Sequence, residues 1–204
     1  MTFNLPLALV FARALAVIPI VLLLGVGDEQ SATVAFAVFC LAALTDAIDG
    51  RLARRYGQVT RLGTFLDPLA DKLLVIGTLI PLQSLGLVPV WVVVLVVARE
   101  LAVTNLRAIA SARGYSVGAS LYGKVKTILQ TLAAAGLLLL LAVPSLPLAF
   151  FAYSLLSAAV ALTVLSGADY LWKASFAIAG RGVPERWRNA APDGTVGSAR
   201  TRAR

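Results

Sequence analysis

The chain of 204 residues contains no histidine and a single cysteine, Cys40, and only 14% of its residues are charged. The missing histidine removes His-based catalytic triads, the usual zinc sites and histidine-ligated haem. One cysteine excludes an intramolecular disulfide and any multi-cysteine metal centre. Hydrophobic residues make up 59%, above the ~45–50% of soluble domains, while charge falls well short of their ~25%. A soluble enzyme core, a disulfide scaffold and a disordered chain are all disfavoured. What remains is an all-α integral membrane protein, whose chemistry must come from carboxylates, lysine, arginine and hydroxyl groups.

A membrane-crossing helix needs about 20 apolar residues. Six such stretches run through 5–25, 32–52, 62–84, 88–111, 121–142 and 147–172, separated by turns marked by Gly25, Gly27, Gly86, Pro89, Pro144 and Pro147. The first stretch lacks a basic leader and carries Arg13, so it reads as a retained helix and not a signal peptide. Arg51, Arg54, Arg55 and Arg61 lie between spans two and three, Arg113, Lys124 and Lys126 around the next junction but one, and Lys173 and further arginines after span six. The other turns carry no Lys or Arg, which predicts both termini and both basic loops on the cytoplasmic side. Residues 1–174 form the six-span domain. Residues 175–204 read as a basic, disordered tail attracted to anionic membrane lipids. The net charge of +8 therefore needs no nucleic acid.

Four aspartates, Asp46, Asp49, Asp67 and Asp71, fall at the cytoplasmic ends of spans two and three. A mid-helix Asp costs about 2.5–3.5 kcal/mol on insertion scales, so four require compensation. Snorkelling or pairing with the nearby arginines accounts for one or two of them. Asp46, Asp49, Gly50 and Ala53 follow i, i+3, i+4, i+7, and Gly63, Asp67 and Asp71 follow i, i+4, i+8, each a single helical stripe. Antiparallel neighbours bring the two stripes face to face, and the small residues leave room for a ligand. An all-oxygen donor set of this kind suits Mg²⁺ or Mn²⁺, and two ions would both neutralise it and grip a pyrophosphate. Pro68 predicts that Asp67 stands at a helix start or kink.

These residues read Asp46-x2-Asp49-Gly50-x2-Ala53-Arg54-x8-Gly63-x3-Asp67-x3-Asp71, eight fixed positions over 26 residues. The pattern resembles the signature of the CDP-alcohol phosphatidyltransferase family. Further similar stretches are Phe3-Asn4-Leu5-Pro6 with Arg13, FLDPLADK from Phe65, ARE from Ala98 with Arg107, and GKVKT from Gly123 with Gln130. The resemblance spans roughly residues 1–173. It implies a six-helix membrane enzyme with a polar cavity open to the cytoplasm and the homodimeric state common among members, which transfers a phosphatidyl group from CDP-diacylglycerol to an alcohol and releases CMP. It further implies that Asp46, Asp49, Asp67 and Asp71 bind two metal ions and that Asp71 takes the acceptor's proton. Asn4, Asp49, Gly50, Ala53, Arg54 and Thr60 are then the CDP-diacylglycerol contacts, although Leu7 stands where the family often has a threonine after the asparagine. With no transit-peptide pattern in the chain, the resemblance places it in a bacterial inner membrane.

Arg99, Arg107, Lys124 and Lys126 form a second unusual group. Arg99 lies mid-span, where a cation needs a partner or an aqueous cavity. The four predict a pocket for the phosphate of a charged acceptor, and the resemblance points to glycerol 3-phosphate. Structural pairing of the arginines with Glu100 or the aspartates, and a topogenic role for the lysines, is the plainer alternative. Inositol phosphate, or phosphatidylglycerol to give cardiolipin, are the alternative acceptors. A divalent-cation transporter or membrane scaffold is the reading from another class; spans two and three turn purely apolar beyond their cytoplasmic ends, and no internal repeat is visible, which disfavours transport. Lys72, about 100° around the helix from Asp71, is assigned no role. Trp91, Trp172 and the tyrosines near span ends read as interfacial anchors, and Asp169 with Lys173 as a helix-end pair.

Overall fold

A computed structural model describes residues 5–56, 61–112 and 121–178, and within these helices the side chains of 5–9, 46–56, 61–69, 71, 110–112, 121, 122, 124 and 173–178 are outside the description. Six helices follow one another: α1 Leu5–Val26, α2 Glu29–Tyr56, α3 Arg61–Ser84, α4 Val90–Ala112, α5 Leu121–Ala142 and α6 Leu146–Ile178. Each coincides with one of the six apolar stretches. The domain boundary expected at 174 falls inside α6, and residues 179–204 lie outside the described set.

Local chemistry sets the connections. Gly27 and Gly86 adopt φ of 80° and 78°, the left-handed region that glycine enters without a Cβ clash. After α3, Gly86 N donates to Gln83 O at 2.9 Å and Leu87 N to Leu82 O at 3.0 Å, the paired bonds of a Schellman stop. Asp28 opens α2: its Oδ1 accepts from Ser31 N at 2.6 Å and its carbonyl from Ala32 N at 3.0 Å, so the side chain caps an otherwise unpaired helix N–H. The Ser31 backbone N–H holds the Asp28 carboxyl below the usual carboxylate range. Ser145 plays a related part before α6, where its carbonyl accepts from Ala149 N at 2.9 Å. Of the helix start or kink expected around Asp67, the start is not what forms. The α3 helix runs without interruption through Pro68, with Asp67 already its seventh residue.

The most extensive packing is between α5 and α6, followed by α1 against α2 and α3, α2 against α5, and α4 against α6; α3 touches α4, α5 and α2 more lightly. Small residues allow the close approaches. A Cβ on Gly136 would stand 3.2 Å from Ala152 Cβ, and one on Gly77 would collide with a Val17 methyl. Val17 is stiff about χ1 and cannot swing aside cheaply. Gly77→Ala is therefore expected to destabilise the α1–α3 crossing by about 1–3 kcal/mol, with Gly77→Leu worse. Thermal unfolding in detergent reads this, and a wild-type midpoint for both variants would refute it.

The buried apolar cluster contains Ile20, Phe39, Leu79, Leu82, Leu137 and Leu138. All six sit in the helix halves next to the 27–28, 85–89 and 143–145 connections. The opposite halves, toward residues 57–60 and 113–120, carry the charged residues. Outward faces are apolar: Leu146 is 87% exposed and Phe150 79%, along with Leu22 and Leu41. Such continuous apolar exposure marks a surface made to meet lipid. Among the described residues, Val125–Ala142 and Leu146–Trp172 are long and apolar enough to cross a bilayer, with shorter apolar stretches at Val10–Val26, Glu29–Thr45 and Lys72–Ser84. The protein is all-helical, with the exterior of a membrane protein.

Candidate functional site

The two aspartate pairs take matching places on their helices. Counted from the α2–α3 connection, Asp46 lies ten residues from Tyr56 and Asp71 ten residues from Arg61, roughly 15 Å along each axis at the α-helical rise. Asp49 and Asp67 lie seven and six residues in, roughly 9–10 Å. This register puts the four backbone positions at two paired depths. Their side chains lie outside the described set, as do those of Gly50, Ala53, Arg54 and Lys124; Asn4 and Thr60 lie outside it entirely. Among the described side chains no three His, Cys, Asp or Glu come together. As a donor set, four carboxylates at paired depths on neighbouring helices fit hard divalent cations, which take oxygen ligands and balance the charge.

The described part of the site is a buried ionic cluster between α3, α4 and α5, built around Glu100. This residue is 9% exposed, and Lys126 2%. Glu100 Oε1 accepts from Lys126 Nζ and, at 2.9 Å, from Arg99 Nη1. Glu100 Oε2 stands 3.4 Å from Lys72 Nζ, which donates to Thr104 Oγ1 at 2.8 Å. Three cations from three helices thus share one carboxylate. Arg99 is fixed from behind by α6: its Nη2 donates to Ser166 Oγ at 3.0 Å, and its Cγ packs close to Gly167. Its Nε is buried with no hydrogen-bond partner among the described residues.

Tyr170 of α6 joins the second arginine to this group. Its hydroxyl accepts from Arg107 Nη2 at 2.7 Å, and its ring lies 5.4 Å from the Arg107 and 5.8 Å from the Arg99 guanidinium carbon. These distances are within cation–π range. Tyr170 is 4% exposed, which corrects its reading as an interfacial anchor: its apolar ring is spent on the two arginines. Trp91 and Trp172 do stand exposed near helix ends. Below the cluster, Gln130 Nε2 donates to Thr163 Oγ1 at 3.1 Å, continuing a polar seam between α5 and α6.

A cleft of about 120 Å³ opens onto the cluster, lined by Lys72, Glu100, Lys126 and Gln130, with Val75 and Val96 among its apolar walls. Of the four cations predicted for an acceptor phosphate, the structure brings Arg99 and Lys126 together through Glu100. Arg107 is linked to Arg99 through Tyr170. Of the three whose side chains are described, Lys126 lines this cleft and Arg99 stands behind Glu100. Three residues of the cluster are not singled out as site residues by the sequence: Lys72 has no role there, Glu100 enters only as a structural partner for the arginines, and Tyr170 reads as an anchor. The signal for Glu100 was present, since a lone acid eleven residues into the apolar α4 has the same insertion cost as the aspartates.

A family model described as CDP-alcohol phosphatidyltransferase matches residues 3–168. A Bacillus subtilis protein named CDP-diacylglycerol–glycerol-3-phosphate 3-phosphatidyltransferase is 41% identical over 188 residues, covering 84% of this chain and 95% of that protein. A Mycobacterium tuberculosis protein named probable phosphatidylglycerophosphate synthase is 44% identical over 164 residues, covering 78% and 77%. An Escherichia coli protein with the same name as the Bacillus one is 37% identical over 176 residues, covering 84% and 94%.

Proposed function

The chain belongs to the CDP-alcohol phosphatidyltransferase family, and from that premise we propose that it transfers the phosphatidyl group of CDP-diacylglycerol to glycerol 3-phosphate, giving phosphatidylglycerophosphate and CMP. The observation that carries the acceptor is the buried excess of positive charge on the cleft between α3, α4 and α5, beside the helix that bears Asp67 and Asp71. The names of the relatives agree with it. Asp46, Asp49, Asp67 and Asp71 are the residues that would hold Mg²⁺ or Mn²⁺, two ions in this reading. When bound, the metal supplies charge neutralisation for the pyrophosphate.

The chain's own residues do the rest. Asn4, Asp49, Gly50, Ala53, Arg54 and Thr60 hold the CDP moiety, with glycine and alanine leaving space on the α2 stripe. Arg99, Arg107, Lys124 and Lys126 supply the field that draws in the acceptor phosphate, Arg99 and Lys126 through the Glu100 cluster. Asp71 takes the proton of the acceptor hydroxyl as its oxygen bonds to the lipid-side phosphorus. The bond from that phosphorus to the bridging oxygen breaks, and CMP leaves. Positioning and charge carry most of the catalysis in such a transfer. The six helices span an inner membrane with both termini cytoplasmic, as the placement of Lys and Arg predicts, and the protein is a homodimer on the family resemblance.

CMP release from purified protein tests this reading. With CDP-diacylglycerol and Mg²⁺ or Mn²⁺, release is expected on adding glycerol 3-phosphate, and a chelator is expected to abolish it. Release with inositol phosphate or phosphatidylglycerol instead would replace the acceptor and keep the family chemistry. Release unaffected by the chelator would remove the metals.

A further inference from the structure

Resting on the glycerol 3-phosphate reading, we infer that Lys72 is a direct ligand of the acceptor phosphate, acting across the cleft with Lys126, and that Glu100 is the positioning residue that holds the two ammonium groups there. Both lysines line the cleft with Glu100 between them. An ammonium has three N–H donors. The described partners take two from Lys72, Glu100 and Thr104, and one from Lys126. Donors therefore remain on the two side chains that border the open space.

The charge balance points the same way. A purely structural buried ion pair matches one cation to one anion, because each uncompensated buried charge is costly. Here, among the described residues, the buried Arg99 and Lys126 and the one-third-exposed Lys72 surround a single carboxylate, a surplus of two positive charges. A phosphate monoester carries about −1.5 to −2 at neutral pH, which cancels that surplus. Val75 and Val96 on its walls lower the local dielectric and strengthen the attraction. Glu100 binds Arg99 and Lys126 through one oxygen and faces Lys72 with the other, so it fixes the spacing of the lysines while Arg99 anchors it from behind. Lys72 also directly follows Asp71 in α3. An acceptor gripped at Lys72 has its phosphate about 100° around α3 from the proposed proton acceptor, a separation that the three-carbon ester has to span.

The test is the full-length Lys72→Gln protein in the CMP-release assay, with both substrates varied. Loss of one charge-assisted bond to phosphate predicts a rise in KM for glycerol 3-phosphate of roughly 10–100-fold, with KM for CDP-diacylglycerol unchanged. The preference for glycerol 3-phosphate over uncharged glycerol should fall by a similar factor, and Lys72→Arg should recover part of it. Inorganic phosphate should compete with glycerol 3-phosphate on the wild-type protein, and more weakly on the variant. Glu100→Asp, which keeps the charge but withdraws it by one methylene, should also raise the acceptor KM selectively. An unchanged acceptor KM in Lys72→Gln overturns the inference. So does a fall in kcat alone, which would mean that Lys72 acts only through its neighbour Asp71. If Lys72→Gln fails to fold, Lys72→Arg and phosphate competition decide, and no selective effect in either overturns the inference. Wild-type protein inert toward glycerol 3-phosphate would instead overturn the acceptor reading, a result seen before any variant is made.

Discussion

Asp71→Asn is expected to lower turnover by roughly 10²–10⁴-fold, the range for loss of a general base. Asparagine keeps the size of the side chain and its place on α3, but it accepts no proton from the acceptor hydroxyl and brings no charge to a divalent cation. The two losses act in the same direction, so the upper part of the range is the expectation. Asp71 is the innermost member of the Gly63, Asp67, Asp71 stripe and shares its depth with Asp46 across the α2–α3 pair. The measurement is kcat for CMP release at saturating substrates, with CDP-diacylglycerol binding followed separately. Glu29→Gln, at the far end of α2, is the control and should turn over normally. Near-normal kcat in Asp71→Asn would rule out the base assignment.

Glu100→Gln should give the largest loss of stability. It leaves Lys126, Arg99 and Lys72 facing one another in a mostly dry setting with no carboxylate between them. Removing one partner from a buried ion pair costs about 3–5 kcal/mol, while removing both together is often close to neutral. The double variant Glu100→Gln, Lys126→Met should therefore recover a large part of the loss, although Lys72 and Arg99 are still left without a carboxylate. Unfolding in mixed micelles compares the three proteins. A Glu100→Gln protein as stable as wild type would mean that water already compensates the cluster, and the dry-cleft argument would fall with it.

The helices were plain in the sequence because lipid imposes one rule on every span: an unbroken apolar run ended by residues that turn the chain. Gly27, Gly86 and Pro89 fall at the ends so marked. The aspartate stripes were equally legible, since period and cost both single them out. Side chains whose role depends on another helix were not legible. Tyr170 near the end of α6 has the position of an interfacial anchor, and only the approach of Arg99 and Arg107 from α4 gives it a different task. Lys72 has no assignable role until Glu100 and Thr104, some thirty residues away in sequence, come alongside. Pro68 misled for the opposite reason. As the eighth residue of α3 it lies past the first turn and removes one i→i−4 bond, a loss that the helix carries without ending there.

The apolar cluster also decides which way traffic can run. All six helices meet at one end of the bundle through Ile20, Phe39, Leu82, Val92, Leu137 and Leu156, a close-packed seam that offers water and ions no hydrogen-bond partner. That end is a stopper: a small hydrophilic ester reaches the Glu100 cleft from the charged side, and the product must leave by the way the substrate came.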